Sequence, residues 1–351
     1  MRGGMQMSDE KIGKIDAATF ASFLLHRTGA ADPSVIVPPT AGIDAGVVDL
    51  GNNRVLIVAE DPIFAIPNQP YDLFGWHTVH IGASDVAVMG VKPQYMTYSL
   101  LMPPGTPDQD FRTIVDAIDL AAKDLGIAIV GGHTGYYPGF AAPTIGGITV
   151  FAVAEKGEYI TSAGARPGDD VLLTKGPAIE TAALLSVLRE NELKAKYPAW
   201  LVKAAQDLCW QMSVVADAAL AREAGEVTAM HDATEGGVIG GLFEIAAASN
   251  TGMVIDEAQI IYPKEVRMVC EQFNLDPLAS IAEGTLLLTA DPSSSDAIID
   301  LLTRSGIPVS VIGKVTDNPG ERTIRRVDGT IEELHIPEQD PFWPVFFEST
   351  C

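Results

Sequence analysis

One stretch of the sequence, "MHDATEGGVIGGLFEIAAASNTG" (residues 230–252), joins polar residues and glycines to a long apolar helix pattern. Asp232 is followed three residues later by Glu235, a spacing typical of the capping box that opens a helix. We therefore predict a helix whose apolar face begins at Val238 and that ends at Asn250 or Gly252.

The glycines of this stretch allow two interpretations. A helix N-terminus presents free N–H groups and positive potential, and Gly236 and Gly237 carry no side chain that would block a phosphate. The alternative is a capped helix that packs closely through its glycines, and physical reasoning alone favours that alternative.

On both sides of this stretch, runs rich in β-branched residues alternate with helical patterns. The predicted strands are "RVLIVAE" (54–60), "YMTYSLLM" (95–102), "IAIVGG" (127–132), "TIGGITVFAVAE" (144–155), "DVLLTKG" (170–176) and the run after "IAEG" (281–284). The predicted helices are "FRTIVDAIDLAAKDL" (111–125), stopped by Gly126, "TAALLSVLRE" (181–190) and one around "LVKAAQDLCWQMSVVADAALAREAG" (201–225). The pattern predicts an α+β protein.

The segment "EYITSAGARPGDD" (158–170) places turn residues, a proline and charges between two strong strands. We expect the domain boundary there, near Ile160. The predicted organisation is a domain over residues 1–160, a second over 161–335 and a tail over 336–351. Prolines in the tail, "IPEQDPFWPVFFEST" (336–350), are expected to discourage a helix, and its aromatic residues to dock it on the surface.

Composition restricts the partners. The chain has 351 residues, and 46 Asp and Glu against 23 Lys and Arg give a formal net charge of −23. This charge opposes binding to nucleic acid and to anionic membranes. Three scattered cysteines do not make a disulfide framework or a zinc site, and the first residues lack the apolar segment of a signal peptide, so we expect a cytoplasmic protein.

Three aspartates of the first half, Asp44, Asp61 and Asp85, lie beside strand ends or small residues. Carboxylates that converge from separate elements make the oxygen cage that Mg²⁺ prefers, although each one alone is more often a turn former or helix cap. In "GGHTGYYPG" (131–139), glycines beside His133 and Thr134 would let a ligand approach the backbone, and a plain glycine-rich connection is the alternative.

Two further observations concern chemistry. Glu283 stands immediately before a predicted strand, where a carboxylate serves as a base, a metal ligand or simply a turn residue. No G-x-x-x-x-G-K-[ST] motif is present, and no G-x-G-x-x-G follows a strand, so any nucleotide is bound by another architecture.

Taken together and in this order, the motifs resemble the superfamily of aminoimidazole ribonucleotide (AIR) synthetase, selenophosphate synthetase, thiamine monophosphate kinase and the hydrogenase maturation factor HypE. The stretches "SDVAVMGVKP", "ARPGDDVLL", "HDATEGGVIGGLFEIA" and "LDPLASIAEGTLLL" are most similar to the HypE branch. The resemblance implies a homodimer whose N-terminal sheets pair into a shared barrel, with ATP in a cleft between domains and the C-terminal sheet covered by helices.

The resemblance also implies roles for individual residues. It implies Mg²⁺ held by Asp44, Asp61 and Asp85. The positions implied for ATP are Lys14, Asp85, His133, Thr134, Asp232, Thr234, Gly236 and Gly237. Enzymes of the HypE branch take a carbamoyl group on a C-terminal cysteine and use ATP to dehydrate it to a thiocyanate. Cys351, with Glu283 as the base, would then be catalytic, and the partners would be a carbamoyl-loading protein and a metallocentre scaffold.

The chain departs from the HypE pattern in three places. Its last residues read Glu-Ser-Thr-Cys instead of Pro-Arg-Ile-Cys, His231, Ala233 and Glu235 alter the helix motif, and His133 stands where relatives carry Asp or Glu. Two alternatives therefore stay open: a phosphoryl-transfer enzyme acting on a small metabolite, and a non-catalytic nucleotide-binding partner. We also expect strand 144–155, apolar on both faces, to be covered by pairing with a second chain.

Overall fold

The computed structural model describes residues 12–15 and 19–348, which form two β-sheets with helices packed on them. The strands of the first sheet are β1 (Val35–Val37), β2 (Gly46–Gly51), β3 (Arg54–Phe64), β4 (Tyr95–Met102), β5 (Ala128–Tyr136) and β6 (Thr144–Glu155). They lie in the order β1-β2-β3-β6-β4-β5, antiparallel except for the parallel pair β4–β5. Helices α1 (Tyr71–Val88) and α2 (Asp108–Leu125) pack with this sheet. A short helical turn at Phe20–Leu24 precedes β1 in the chain.

The second sheet has seven strands in the order β13-β12-β9-β11-β7-β10-β8. These strands are β7 (Asp170–Thr174), β8 (Val227–Ala233), β9 (Gly252–Asp256), β10 (Thr285–Ala290), β11 (Val309–Thr316), β12 (Arg322–Arg325) and β13 (Ile331–Glu333). The accompanying helices are α3 (Ile179–Leu188), α4 (Glu190–Lys196), α5 (Ala199–Asp207), α6 (Val215–Ala224), α7 (Gly237–Ala248), α8 (Lys264–Phe273), α9 (Pro292–Arg304) and α10 (Phe342–Glu348). The two sheets fall on either side of the predicted boundary near Ile160, whose position stays a prediction.

Helix α1 packs against both halves of the molecule. Phe74 belongs to the core of the first sheet, Leu73 to the helical core around α3, and Val88 to the core under β8 and β10. The helix is therefore apolar nearly all round, as expected for a buried helix. Its last turn lies between the two sheets, which is where Asp85 is found.

The predicted strands and the helix that ends at Gly126 are confirmed, and Gly126 adopts the left-handed conformation with φ 71°. The single helix predicted over 201–225 is instead broken into α5, a one-turn helix at Leu208–Gln211 and α6. Buried side chains account for the break: the carbonyl of Cys209 lies 2.8 Å from His77 Nε2, and that of Ser213 accepts a hydrogen bond from Lys175 Nζ at 2.6 Å. Tertiary contacts thus use carbonyls that a continuous helix would bond internally.

Strand 144–155 is not an edge strand that a second chain must pair with, contrary to the reasoning from sequence, and the pairing of two chains stays a prediction. This strand, β6, lies inside the sheet between β3 and β4, which pair with its two edges. The edges of the sheet are the three-residue β1 and the longer β5, and eight of the nine residues of β5 are exposed, including Ile129 and Val130. The edge strand that invites pairing is therefore β5.

The expectation that prolines keep the tail from forming a helix is also wrong, because residues 342–348 form α10. Pro344 is the third residue of this helix, where a backbone N–H has no partner within the helix and its absence is tolerated. Phe342 is buried in the helical core around α3, in agreement with the expected docking of the aromatic residues. Within the described residues, no helix is long and apolar enough to cross a membrane.

Candidate functional site

The predicted aspartates converge on a cavity of about 190 Å³ between the two sheets. Asp61 comes from β3, Asp85 from the last turn of α1, and Asp44 from the loop before β2. Asp232 and Glu283 reach the cavity from the second sheet. The complete lining is Lys14, Gly42, Ile43, Asp44, Asp61, Ile81, Asp85, His231, Asp232, Thr234, Glu244 and Glu283.

The capping-box interpretation of Asp232 and Glu235 is wrong. Asp232 belongs to β8 and pairs with Leu286 of β10, and helix α7 begins only at Gly237. The Glu235 carboxylate accepts the backbone N–H of Lys14 at 2.9 and 3.0 Å. Asp232 therefore does not cap the helix, and its side chain is buried at the cavity wall.

The cavity wall is strongly acidic. Six carboxyl groups line it against two basic side chains, Lys14 and His231. Burial, reinforced by the neighbouring carboxylates, raises the pKa of Asp61 and raises those of Asp85 and Glu283 well above their usual range. The same causes raise the pKa of Asp232 to about 7. Carboxyl groups held in this way favour the binding of a cation that neutralises them.

Lys14 supplies positive charge at the edge of this wall. Its Nζ donates a hydrogen bond to Thr234 Oγ1 at 2.8 Å. Burial by itself would lower the pKa of Lys14, but the carboxylates of Glu244, Asp232 and their neighbours outweigh burial and raise it. The side chain is therefore a charged ammonium beside a hydroxyl, an arrangement suited to a phosphate oxygen.

His231 lies between carboxylates from the two halves of the chain. Its Nδ1 is 2.5 Å from Asp44 Oδ1, and its Nε2 is 2.9 Å from Glu244 Oε2. Burial would lower the pKa of His231, but the two carboxylates outweigh it and raise the pKa well above its usual value. Sequence reasoning noted His231 only as a departure and missed Glu244, although Glu244 is the single charged residue of the apolar helix α7.

The wall fits a hard divalent cation such as Mg²⁺. Among the described residues, two buried carboxylate oxygens, Asp44 Oδ2 and Glu283 Oε1, have no hydrogen-bond partner. Potential ligand atoms of Asp44, His231 and Asp232 lie within 4.8 Å of one another. Since both nitrogens of His231 face carboxylates, oxygen atoms remain as the ligands, which is the donor set that Mg²⁺ prefers.

Four of the positions implied for ATP lie outside the cavity wall. His133 and Thr134 are exposed on β5, and His133 Nε2 lies 2.5 Å from the hydroxyl of Tyr137. The N–H of Gly236 donates to Asp340 Oδ2 at 2.9 Å, and a Cβ on Gly237 would lie 2.6 Å from the carbonyl oxygen of Leu278. The two glycines thus match the close-packing alternative, and the phosphate role of all four residues stays a prediction.

Two of the three cysteines, Cys209 and Cys270, lie within the described residues. Cys209 and Cys270 are buried, and burial raises the pKa of each thiol to about 12, which disfavours the reactive thiolate. Cys351 lies outside the described residues.

Glu180, which the sequence analysis did not single out, holds the backbone of Glu283 by a hydrogen bond. Glu180 stands in the first turn of α3, and its Oε2 accepts the backbone N–H of Glu283 at 3.1 Å. Burial raises the pKa of Glu180 to about 7. As with Glu244, the available signal was a lone charge in an otherwise apolar helix, "IETAALLSVL".

Family models identify this architecture. The N-terminal domain model of the AIR synthase related proteins matches residues 42–154, and the C-terminal domain model matches residues 166–325. The chain belongs to the AIR synthase related family. Both halves of the acidic cavity therefore fall within the two family domains.

Two relatives show how far the similarity extends. The carbamoyl dehydratase HypE of Cupriavidus necator is 34% identical over 227 residues, covering 63% of this chain and 61% of that protein. The selenide, water dikinase of Haemophilus influenzae is 28% identical over 312 residues, covering 81% of this chain and 85% of that protein.

Solved structures share the fold. A HypE–HypF complex has a TM-score of 0.73 with 22% identity, covering 91% of this chain and all of the matched chain. HypE in complex with ATP has a TM-score of 0.71 with 22% identity, covering 94% of this chain and 97% of the other. At this identity the likeness establishes the two-domain α+β fold.

Proposed function

We propose that this protein is an ATP- and Mg²⁺-dependent enzyme that dehydrates a carbamoyl group carried on Cys351 to a thiocyanate, as a step in hydrogenase metallocentre maturation. The observation that carries the proposal is the acidic cavity, in which two unpartnered carboxylate oxygens of the described residues lie near a charged lysine. The similarity to a named carbamoyl dehydratase over 63% of the chain supports the choice of reaction.

The cavity would receive the reacting end of the nucleotide. Its volume of about 190 Å³ is smaller than the ~300–1,000 Å³ of typical small-molecule sites, so it suits the metal and the phosphates better than a whole nucleotide. Asp44, Asp61 and Asp85 would hold Mg²⁺, which neutralises charge developing on the phosphates. Lys14 would bind a phosphate oxygen while Thr234 orients its ammonium group.

The chemistry balances with one ATP for each carbamoyl group. The carbamoyl oxygen attacks the terminal phosphorus, ADP leaves, and the nitrogen loses its first proton. The carbon–oxygen bond then breaks with phosphate as the leaving group, the nitrogen gives up its second proton, and the nitrile forms on sulfur. Glu283 is the candidate base, because it is buried at the cavity wall with one oxygen free of hydrogen bonds among the described residues.

We propose a homodimer built through β5. An exposed edge strand with Ile129 at 40% and Val130 at 55% exposure is a template for pairing with another strand. Pairing of β5 with a second copy would cover these side chains and enclose His133 and Thr134, which the single chain leaves exposed. A carbamoyl-loading protein and a metallocentre scaffold are the proposed further partners.

Mass spectrometry of the C-terminal peptide tests the reaction. The protein is incubated with Mg-ATP and a carbamoyl donor system, and the peptide that contains Cys351 should first gain a carbamoyl group and then lose the mass of one water. Cys351→Ala should abolish both changes while nucleotide binding persists, and Cys270→Ala serves as the matched control. A wild-type peptide that is carbamoylated but never dehydrated in Mg-ATP contradicts the proposal.

One alternative has support of its own. The Glu-Ser-Thr-Cys ending differs from the HypE pattern, and similarity to a selenide, water dikinase covers 81% of the chain. The chain would then transfer phosphate from ATP to a small metabolite, with Cys351 uninvolved. ATP turnover that is unchanged in Cys351→Ala favours this alternative, and no turnover with any acceptor leaves a nucleotide-binding partner.

A further inference from the structure

His231 links an aspartate of the first domain to a helix of the second. Asp44 lies in the loop before β2, and Glu244 lies on α7. The imidazole is 8% exposed, the Asp44 side chain 6% and the Glu244 side chain 31%, so the contact with Asp44 is shielded from water and the contact with Glu244 is partly shielded. Hydrogen bonds from a buried ring to two carboxylates are stronger and more directional than the same contacts at a surface.

Both ring nitrogens of His231 are engaged, Nδ1 by Asp44 and Nε2 by Glu244. Neither nitrogen is then available as a metal ligand, although the ring belongs to the group of side chains that approach one another at the cavity. The ring instead fixes one oxygen of Asp44, Oδ1, and leaves the other, Oδ2, buried and without a hydrogen-bond partner in the described part of the chain.

The loop that carries Asp44 also packs directly on the helix that carries Glu244. Gly42 has φ 72°, and a Cβ at this position would lie 3.0 Å from Cβ of Glu244. The carbonyl of Gly42 accepts a hydrogen bond from Ser162 Oγ. The position of Glu244 relative to Asp44 is thus set by backbone packing as well as by the histidine between them.

We propose that Glu244 is a positioning residue that acts through His231 to aim the free oxygen of Asp44 at the divalent cation. Histidines and carboxylates that hold a metal ligand in this way fix its orientation, and their loss typically weakens metal binding ~10–100-fold. The proposal rests on the metal site of the proposed function. It does not depend on the reaction at Cys351.

Two substitutions of similar size separate positioning from charge and from packing. Glu244→Gln keeps an oxygen that accepts the Nε2–H of His231, whereas Glu244→Met fills the same space without an acceptor. Both remove the same negative charge from the wall, so a difference between them reports the hydrogen bond alone. Asp217→Asn, a buried carboxylate paired with Lys175 and absent from the cavity lining, is the control for a general loss of stability.

The measurement uses Mn²⁺ as the probe, titrated by calorimetry and by its paramagnetic resonance signal into the Cys351→Ala protein without nucleotide. Glu244→Met should bind Mn²⁺ ~10–100-fold more weakly than the parent, and Glu244→Gln should recover most of that loss. Asp217→Asn should leave the affinity within twofold. His231→Gln removes the link at its centre and should weaken binding as Glu244→Met does, which keeps the test decisive if the methionine variant does not fold.

The proposal is overturned if Glu244→Met and His231→Gln bind Mn²⁺ within twofold of the parent, or if the Gln and Met variants at position 244 are equally weak. Because metal binding is measured without ATP or a carbamoyl donor, a protein that binds Mn²⁺ as expected but never modifies Cys351 refutes the proposed reaction and leaves this inference standing.

Discussion

Replacement of Asp232 by asparagine should make the Mg²⁺-free protein more stable at alkaline pH, even though the residue is central to the site. Asp232 is 3% exposed, and burial together with the charge of Asp44 raises its pKa to about 7. The asparagine side chain has nearly the same shape and no charge to desolvate. Ionisation of this group therefore destabilises the wild type whenever no cation is bound.

The structure gives the size and sign of the effect. A rise from 3.8 to about 7 is about three pKa units, or at most about 4 kcal/mol. Because the folded protein holds this proton more tightly than the unfolded chain, the stabilisation is complete below about pH 4 and is lost as the pH rises through about 7. The asparagine side chain of the variant does not titrate. The free energy of unfolding of Asp232→Asn should therefore increase relative to that of the wild type as the pH rises from about 4 to about 7.

Urea unfolding followed by circular dichroism at pH 5, 6, 7 and 8, first in EDTA and then in Mg²⁺, measures the difference. In EDTA the variant should overtake the wild type as the pH rises, and Mg²⁺ at pH 8 should stabilise the wild type more than the variant. Asp296→Asn, at an exposed position of α9, serves as the control. Unfolding free energies of Asp232→Asn and wild type that stay parallel from pH 5 to 8 in EDTA would refute the reasoning.

Three further predictions concern nucleotide, assembly and packing. Asp85→Asn should weaken ATP binding in Mg²⁺ but not in EDTA, because it removes one of the proposed ligands of the cation; equal losses in calorimetry under both conditions would contradict a metal role. Val130→Lys places a charge on the exposed edge of β5 and should shift a dimer toward monomer in light scattering, whereas Leu120→Lys, at an exposed position of α2, should not. Gly237→Ala should lower the free energy of unfolding by about 2–4 kcal/mol, because φ is 62° and the new Cβ would lie 2.6 Å from the carbonyl oxygen of Leu278; a loss below about 1 kcal/mol in urea titration would show that the contact relaxes.

Local patterns were sufficient for elements whose sequence signal is periodic. Helix α2 could be predicted to its last residue, because its apolar spacing is regular and Gly126 supplies the left-handed stop. The end of β8 could not be predicted. Asp232 and Glu235 satisfy a helix-capping spacing, but Asp232 pairs with Leu286, distant in sequence, and the strand continues through it to Ala233. Long-range strand pairing therefore overrode a local motif.

Some residues of the site could likewise be predicted from local sequence, whereas others depend on long-range contacts. Asp44, Asp61 and Asp85 could be proposed from the sequence because each stands beside a strand end or a small residue, and the fold brings them to one cavity. The contacts of His231 could not be predicted from the sequence, because its partner Asp44 lies 187 residues away in the chain. A histidine beside an aspartate in the sequence suggests a metal ligand, and only the fold reveals that both of its nitrogens are occupied.

The position of α10 constrains how Cys351 could take part in catalysis. Asp340, just before α10, accepts a hydrogen bond from the N–H of Gly236, and its charge contributes to the raised pKa of Glu180 at the start of α3. Further along the chain, the carbonyl of Val345 accepts a hydrogen bond from Arg189 at the end of α3. The docked helix therefore runs along α3 away from Glu283, which bonds to Glu180. Cys351 is the third residue after Glu348, a reach of at most about 10 Å, while α3 alone is about 15 Å long. If Cys351 reacts at the cavity of its own chain, the proposed dehydration thus requires α10 to leave this position. A disulfide that ties α10 to α3 should then abolish dehydration of the peptide while leaving Mn²⁺ binding unchanged.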